Sequence, residues 1–334
     1  MELRPLGRSN LRVSRLCLGA MMFGGPTDEA TSHRIIARAK DAGVNFIDTA
    51  DAYNGGKSEH VVGRGIKQSR NDFVVATKVC NKMPDNPASG GLSRRWITQA
   101  AEDSLRRLGT DRIDVYYLHK EDFSVPLEET VRALADLVRA GKIRHFGVSN
   151  FRSWRVAEIC RLCDEIGIGR PVASQPYYHA LYRVIENEHL PACGHFGLGV
   201  FCYSPLARGL LTGKYVPGAA PSADSRAGRK DTRMMETEFR PEAIAAAQKI
   251  KEHAAKRGTT AAKFAIGWVL NNRFVTGILG GPRTEAQWED YLSSLDYRPD
   301  AEDEKFIDDL VSPGHPVVPG YNDPSYPIEG RAVG

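Results

Sequence analysis

Residues 113–149 read IDVYYLHKEDFSVPLEETVRALADLVRAGKIRHFGVS and contain the pattern that decides the fold. A mostly apolar run, Ile113–His119, leads into a helical stretch whose apolar residues recur every three or four positions. That stretch ends at Gly141, a residue type favoured just past a helix end, and a second predicted strand, Ile143–Ser149, follows. Apolar strands without alternation are covered on both faces, so this stretch predicts two parallel strands joined by a helix.

The same unit recurs in both directions along the chain. Further strands are predicted for the run ending at Gly19 and at 44–48, 73–78, 172–175, 199–203 and 275–280. Further helices are predicted at 28–42, 59–68, 93–108, 153–166, 187–195, 242–256 and 261–271. Thr284-Glu-Ala-Gln287 reads as a capping box that opens the last barrel helix. Eight strand-then-helix units favour a closed (β/α)8 TIM barrel, with an open doubly wound sheet as the alternative.

The chain is predicted to form one domain over residues 1–334. Its parts are a hairpin at 1–15, a barrel at 16–296, and a C-terminal helix and tail at 297–334. Two irregular stretches, 81–91 and 214–241, follow strand ends, where long loops are usually functional. The tail from Ser312 is rich in Pro and Gly and predicts no long helix.

Composition excludes several classes of protein. The 334 residues are 42% hydrophobic and 26% charged, with a net charge of +4 from dispersed basic residues, which predicts no nucleic-acid partner. No apolar leader and no membrane-length apolar run are visible, which predicts a cytoplasmic protein without a membrane partner. Cys160-x-x-Cys163 lies in a predicted helix without a second cysteine pair. We interpret it as packed thiols, with metal or redox chemistry as the alternative, and predict no metal site.

Polar residues stand where three predicted strands end. Asp48 ends one strand and leads at once to Tyr53, Lys78 ends the next, and His119 ends the third. In a barrel, these ends meet at one mouth. A buried lysine needs an acidic partner, which Asp48 supplies, and the ammonium is expected to lower the pKa of Tyr53 towards a useful general acid. His119 would hydrogen-bond and orient a substrate carbonyl.

Each of these residues also has an ordinary structural interpretation, as a turn cap, a rim aromatic, a solvent-reaching lysine or a core histidine. The joint placement favours the functional interpretation, because a buried charge needs a partner. No nucleophile with an adjacent base is apparent, so covalent hydrolysis is not supported. Gly63-Arg-Gly65 resembles part of a dinucleotide fingerprint, but it lacks the third glycine and does not directly follow a strand.

The chain resembles the aldo-keto reductases. The motifs that carry the resemblance are residues 46–53 (FIDTADAY) with 55–59 (GGKSE), 75–78 (VATK), 116–119 (YYLH), 147–151 (GVSNF) and 203–209 (YSPLARG). The resemblance implies a (β/α)8 barrel and a catalytic tetrad of Asp48, Tyr53, Lys78 and His119. It further implies that Asp48 also lies among the cofactor contacts.

The resemblance also implies the remaining cofactor contacts. Ser149, Asn150 and Gln175 match the groups that bind the nicotinamide carboxamide, Tyr203 matches the aromatic that stacks on the ring, and Gly19 matches a position beneath the cofactor. The loop over the pyrophosphate corresponds to Ser204, Leu206, Lys214 and Arg226. The grip on the adenosine and its 2′-phosphate corresponds to Gly281, Arg283, Gln287 and Asp290. Arg283 beside a capped helix N-terminus suits a phosphate.

The function implied by the resemblance is NADPH-dependent reduction of an aldehyde or ketone to an alcohol, or the reverse, by hydride transfer with Tyr53 as general acid/base. NADH is the less favoured cofactor. The expected partner is a small-molecule carbonyl or alcohol, and substrate, direction and oligomeric state stay open. The alternative is a regulatory barrel that holds NADPH and turns over slowly.

Overall fold

The barrel strands all lie side by side in parallel pairs. The structure, a computed structural model, describes residues 1–84, 86–321 and 323–326. Two antiparallel strands, β1 (Leu3–Pro5) and β2 (Arg12–Ser14), form the hairpin. The barrel strands are β3 (Leu16–Gly19), β4 (Phe46–Asp48), β5 (Val74–Val79), β6 (Ile113–Leu118), β7 (Ile143–Ser149), β8 (Ala173–Gln175), β9 (Gly199–Cys202) and β10 (Val275–Gly280). They close in the order β10-β3-β4-β5-β6-β7-β8-β9, which confirms the predicted barrel and hairpin and excludes the open sheet.

The helices follow the predicted positions within a few residues. Their bounds are α1 (Glu29–Asp41), α2 (Lys57–Ile66), α3 (Arg94–Leu108), α4 (Leu127–Arg139), α5 (Ser153–Ile166), α6 (His189–Phe196), α7 (Thr232–Glu236), α8 (Pro241–Lys256), α9 (Ala261–Asn271), α10 (Glu285–Ser293) and α11 (Ala301–Leu310). Local chemistry sets several ends: the Asp28 side chain caps α1, Ser93 caps α3, and Gly141 follows α4 with a φ of 71°. Among the described residues, no helix combines the length and apolar character needed to cross a membrane.

The inside of the barrel is filled by apolar side chains, and the hairpin contributes to it. Leu6 and Val13 are fully buried in one cluster with Phe46 and Phe201, whose rings meet edge to face at 4.9 Å. Gly7 makes the close approach at this end, because a Cβ there would lie 2.4 Å from the Val172 carbonyl oxygen. The hairpin thus covers the end of the barrel opposite the carboxyl ends of the strands.

The chain divides into two compact units. The first unit is Met1–Tyr177, Glu188–Tyr203 and Arg273–Leu292, and it contains every barrel strand. The second is Tyr178–Asn187, Ser204–Asn272 and the described residues from Ser293 onward. The assignment of residues 1–334 to one domain stays a prediction.

The second unit has helical packing of its own. His253 on α8 stacks on Phe306 of α11 with ring centroids 4.0 Å apart, and its Nε2 lies 2.7 Å from an oxygen of Asp303. Within the stretch 214–241, predicted to be irregular, residues Thr232–Glu236 form the short helix α7, capped by the Asp231 side chain. The described part of the tail contains turns, and its last residues, 327–334, lie outside the described residues.

Two sequence motifs have structural outcomes that differ from a simple motif match. The Thr284 hydroxyl caps α10 by accepting from the Gln287 amide (3.3 Å), but Gln287 Oε1 accepts from the Arg283 amide (2.7 Å) rather than from that of Thr284. Only one of the two hydrogen bonds of a capping box is therefore present, because the Gln287 side chain accepts from the residue before the N-cap instead of from the N-cap itself. Gly63 lies inside α2, where a Cβ would come within 2.2 Å of the Leu108 carbonyl oxygen, so this glycine serves helix packing.

Candidate active site

The centre of the site is a lysine with three partners. Asp48 ends β4, Lys78 is the penultimate residue of the neighbouring strand β5, and their side chains form an ion pair with exposed fractions of 2% and 0%. The ammonium also donates to the Thr49 carbonyl oxygen (2.7 Å) and to the Tyr53 hydroxyl (3.2 Å). All three N–H groups of Lys78 are thus used. Because Tyr53 accepts from Lys78, its own proton stays available for another acceptor.

The electrostatics of this trio differ in one respect from the sequence expectation. Burial raises the pKa of Tyr53, and the Lys78 ammonium opposes that rise without cancelling it. The expected net lowering of the Tyr53 pKa is therefore wrong, because sequence reasoning counted the charge and not the loss of water. Burial lowers the pKa of Lys78, but Asp48 and Tyr53 outweigh it, so the net shift is upward and the ammonium stays charged.

His119 is held as a neutral hydrogen-bond donor. Burial, and then the charges of Lys78 and Lys120, place its pKa well below the ordinary value. The Asn81 side-chain amide nitrogen, which only donates, lies 3.0 Å from Nδ1, so the ring proton is on Nε2. The His119 and Tyr53 rings lie edge to face with centroids 5.7 Å apart, and both residues keep exposed surface. Two proton donors therefore meet at one accessible place.

Asn81 is a functional candidate that the sequence reasoning missed. It was counted only as the start of an irregular loop, although it stands two residues past the end of β5. That position at a strand end was the available signal, because strand ends supply active-site residues in barrels.

Four residues expected to contact nicotinamide form one hydrogen-bonded group around the tetrad. Gln175 donates to Asp48 (2.8 Å), and the Ser149 hydroxyl donates to the Gln175 carbonyl oxygen (2.8 Å). The Tyr203 hydroxyl donates to the Asn150 side-chain oxygen (2.8 Å), and the amide nitrogen of that asparagine donates to the His119 carbonyl oxygen (3.0 Å). The ends of β4, β6, β7, β8 and β9 are thereby linked.

The predicted adenosine-side residues lie at the end of β10 and the start of α10. Gly19 and Gly281 face each other closely, since a Cβ on Gly19 would lie 3.5 Å from the Gly281 Cα. The Thr27 hydroxyl donates to the Arg283 carbonyl oxygen (2.9 Å), which fixes that turn. Gln287 and Asp290 lie on α10 and are exposed.

Four other predicted cofactor residues belong to the second unit. Ser204 has a φ of 55°, Leu206 is half-buried, and Lys214 is exposed with its ammonium 5.3 Å from the ring centre of Tyr215. Arg226 lies 3.8 Å from an oxygen of Asp231. Their role in holding a pyrophosphate stays a prediction.

The cysteine pair in α5 has the features of packed thiols. Cys160 and Cys163 are buried in α5 as free thiols, and burial raises the pKa of each, to about 11 and about 12. No group of three or more His, Cys, Asp or Glu residues that could hold a metal ion is found in the part of the chain that the structure describes.

Comparison with known proteins identifies the family. The sequence profile of the Aldo/keto reductase family matches residues 15–312. An uncharacterised oxidoreductase of Bacillus subtilis, YrpG, is 36% identical over 334 residues, 96% of this chain and 99% of its own. A protein of Arabidopsis thaliana, provisionally named a voltage-gated potassium channel subunit beta, is 34% identical over 90% of this chain and 92% of its own. A Schizosaccharomyces pombe protein, provisionally named an aryl-alcohol dehydrogenase, is 31% identical over 92% and 95%.

The closed barrel of eight parallel strands, with an aspartate, a lysine and a tyrosine in contact at one end of it, defines a TIM-barrel protein. The chain belongs to the aldo/keto reductase family. The family and the oxidoreductase names of its relatives support an oxidoreductase.

Proposed function

We propose that this protein is an NADPH-dependent carbonyl reductase and alcohol dehydrogenase in which Tyr53 is the general acid/base. The observation that carries the proposal is the contact of Lys78 Nζ with the Tyr53 hydroxyl at 3.2 Å, with Asp48 behind the ammonium. This arrangement leaves the phenolic proton free and supplies a positive charge beside the oxygen that becomes a phenolate.

In the proposed reaction, the substrate carbonyl oxygen lies between the Tyr53 hydroxyl and Nε2 of His119. His119 donates a hydrogen bond and orients the carbonyl, and its lowered pKa keeps it neutral while it does so. Tyr53 then gives its proton to the substrate oxygen as that oxygen gains negative charge. The raised pKa of Tyr53 keeps the phenol protonated at neutral pH, which favours the reductive direction.

The residues around the tetrad fit a nicotinamide cofactor, which when bound supplies or accepts the hydride. Ser149, Asn150 and Gln175 offer amide and hydroxyl groups beside Tyr203, a combination suited to a carboxamide on an aromatic ring. Arg283 precedes the N-terminus of α10, a favourable place for a phosphate, and supports the preference for NADPH over NADH.

The test is a screen of carbonyls and alcohols with NADPH or NADP⁺ and with NADH or NAD⁺. Each reaction is monitored by the absorbance of the reduced nicotinamide. Benzaldehydes and benzyl alcohols belong in it, because one relative is provisionally named an aryl-alcohol dehydrogenase. The Tyr53→Phe variant is expected to lose turnover by about 100- to 10,000-fold while NADPH binding, measured by fluorescence, is retained. Unchanged turnover in that variant would refute the proposal.

The alternative is a regulatory barrel that holds NADPH and reacts slowly, and it is favoured by the provisional channel-subunit name of the Arabidopsis thaliana relative. The two functions differ in their kinetics. An enzyme shows steady turnover with excess NADPH, whereas a slow regulatory barrel shows one rapid turnover followed by a stall at product release.

A further inference from the structure

One asparagine ties the loop after β3 to the turn that carries the proposed proton donor. Asn54 directly follows Tyr53 in the chain. Its side-chain amide nitrogen donates to the carbonyl oxygens of Met21 (2.9 Å) and Phe23 (2.8 Å). Both N–H groups of the amide are thus used, and because both partners are acceptors only, they fix the orientation of the amide. The loop, residues 20–27, is therefore bonded directly to the residue beside the phenol.

The local backbone is shaped for this contact. Asn54 has a φ of 51°, in the left-handed region that asparagine tolerates better than most residues. A Cβ on Gly25 would lie 2.4 Å from Oδ1 of Asn54, so a glycine at this position leaves room for the amide. Positions 25 and 54 are thus matched, and together they let the side chain reach the loop.

Other bonds hold the two ends of the loop. The Ala20 carbonyl oxygen accepts from the Ser58 hydroxyl (2.7 Å), and the Thr27 hydroxyl donates to the Arg283 carbonyl oxygen (2.9 Å). The Asn54 amide acts between these ends. Its loss is therefore expected to loosen the middle of the loop and to leave the barrel folded.

The loop presents two consecutive methionines at the carboxyl ends of the strands. Met21 is 38% exposed and Met22 is half-buried, whereas Phe23 is fully buried. They follow β3, which lies next to β4, the strand that leads to Tyr53. Methionine has a flexible side chain with a polarisable sulfur that makes favourable contacts with aromatic rings. These two side chains therefore suit a substrate that bears such a ring.

We propose that Asn54 is a positioning residue for the substrate: it holds Met21 and the rest of the loop against the turn of Tyr53, so that the loop forms one wall of the site and favours carbonyls and alcohols with an aromatic ring. The inference rests on the proposed role of Tyr53. Without the amide, the wall loses two hydrogen bonds, and a ring-bearing substrate must order it on binding. That cost reduces the affinity for such substrates and leaves proton transfer unchanged.

The test is steady-state reduction of benzaldehyde and propanal, or of the best ring-bearing and short-chain carbonyls from the screen, with saturating NADPH. In Asn54→Gly, the backbone keeps its left-handed conformation and only the amide is removed. The KM for benzaldehyde is expected to rise about 5- to 50-fold, the size of two ordinary hydrogen bonds, while kcat changes less than about twofold. The KM for propanal, which is small and makes little contact with the loop, is expected to change less than about threefold.

Three variants show whether the amide itself is responsible. Gly25→Ala displaces the amide without changing residue 54 and should reproduce the result of Asn54→Gly. Asn54→Asp keeps the shape of the side chain, but its carboxylate cannot donate, so the KM for benzaldehyde should rise at least as much. Asn45→Ala is the matched control and should change neither KM. Its side chain also bonds two backbone groups, the Arg12 carbonyl oxygen (2.8 Å) and the Ser14 amide (2.8 Å), but at the hairpin.

A double-mutant cycle tests whether the wall acts through Met21. In the Met21→Ala background, Asn54→Gly should raise the KM for benzaldehyde less than about twofold, because the side chain that the amide positions is absent. Additive effects of the two changes, equal losses for benzaldehyde and propanal, or a lower kcat with KM unchanged would each overturn the inference.

Hydrogen exchange followed by mass spectrometry gives a readout without turnover. The amides of residues 20–27 are expected to exchange about 5- to 50-fold faster in Asn54→Gly than in the wild type, and unchanged exchange would overturn the inference. If Tyr53→Phe retains turnover, the proposed function fails instead. The exchange result does not depend on turnover, so the two failures are distinguishable.

Discussion

Removal of the ammonium at position 78 should expose how much the fold depends on the buried ion pair. In Lys78→Met, the carboxylate of Asp48, 2% exposed, loses its cation and keeps only the Gln175 amide. Breaking a buried pair from one side typically costs about 3–5 kcal/mol. The unfolding entropy is about 2.1 cal/mol/K per residue, which gives roughly 0.7 kcal/mol/K for 334 residues. Dividing the cost of the broken pair by this entropy predicts that Tm falls by about 4–7 °C.

Differential scanning calorimetry of Lys78→Met, Asp48→Asn and the double variant measures this effect. The double variant should lose less stability than Lys78→Met, because it leaves no unpaired buried charge. The deficit of Lys78→Met should also shrink as the pH falls from about 8 to 5. In that variant the pKa of Asp48 is raised above its unfolded value, so protonation relieves the folded state at low pH and the deficit returns at high pH. Additive losses in the double variant, or a deficit independent of pH, would refute the reasoning.

Three further results are expected. Asn81→Ala removes the donor to Nδ1 of His119 and should lower kcat/KM about 5- to 10-fold. Asn71→Ala is the control, because Asn71 lies on the surface, and it should leave kcat/KM unchanged. Equal effects of the two variants would contradict a role of Asn81 in fixing the His119 tautomer. Arg283→Ala should raise the Kd for NADPH about 10- to 100-fold in a fluorescence titration and leave that for NADH nearly unchanged, and a parallel loss for both would argue against a 2′-phosphate contact. The pKa of His119 is well below its ordinary value, so kcat/KM for reduction should not decrease because of this residue as the pH is lowered from about 8 to 6. A decrease with a midpoint near about 6.5 would mean that the His119 ring becomes charged in this range.

The strand pattern made the barrel predictable, because short, mostly apolar strands alternate with amphipathic helices along the chain. Ile143–Ser149 and Ser153–Ile166 match their predicted bounds. The pairing of Asp48 with Lys78 was predictable for the same reason, since a charge at the end of a buried strand needs a partner at the end of its neighbour. The local sequence was therefore sufficient to predict strands and helices where the apolar pattern was clear, and to predict an ion pair where charged residues stood at the ends of such strands.

The contributions that depend on three-dimensional surroundings were not predictable. The net pKa shift of Tyr53 depends on how much water the fold removes, which spacing does not encode. Asn81 reaches His119 across 38 residues of sequence, from a loop without periodicity.

The hairpin has a consequence for how the chain is made. The amide of Arg8 donates to the carbonyl oxygen of Gly197 (3.0 Å), and Gly7 packs against the backbone at Val172 and Gly199. A ribosome adding about 5–20 residues per second needs roughly 10–40 s to deliver those acceptors after the hairpin emerges. The hairpin is therefore translated well before β9, the seventh barrel strand. Its contacts with Gly197 and Gly199, which close this end of the barrel over Leu6, can form only after β9 has been synthesised.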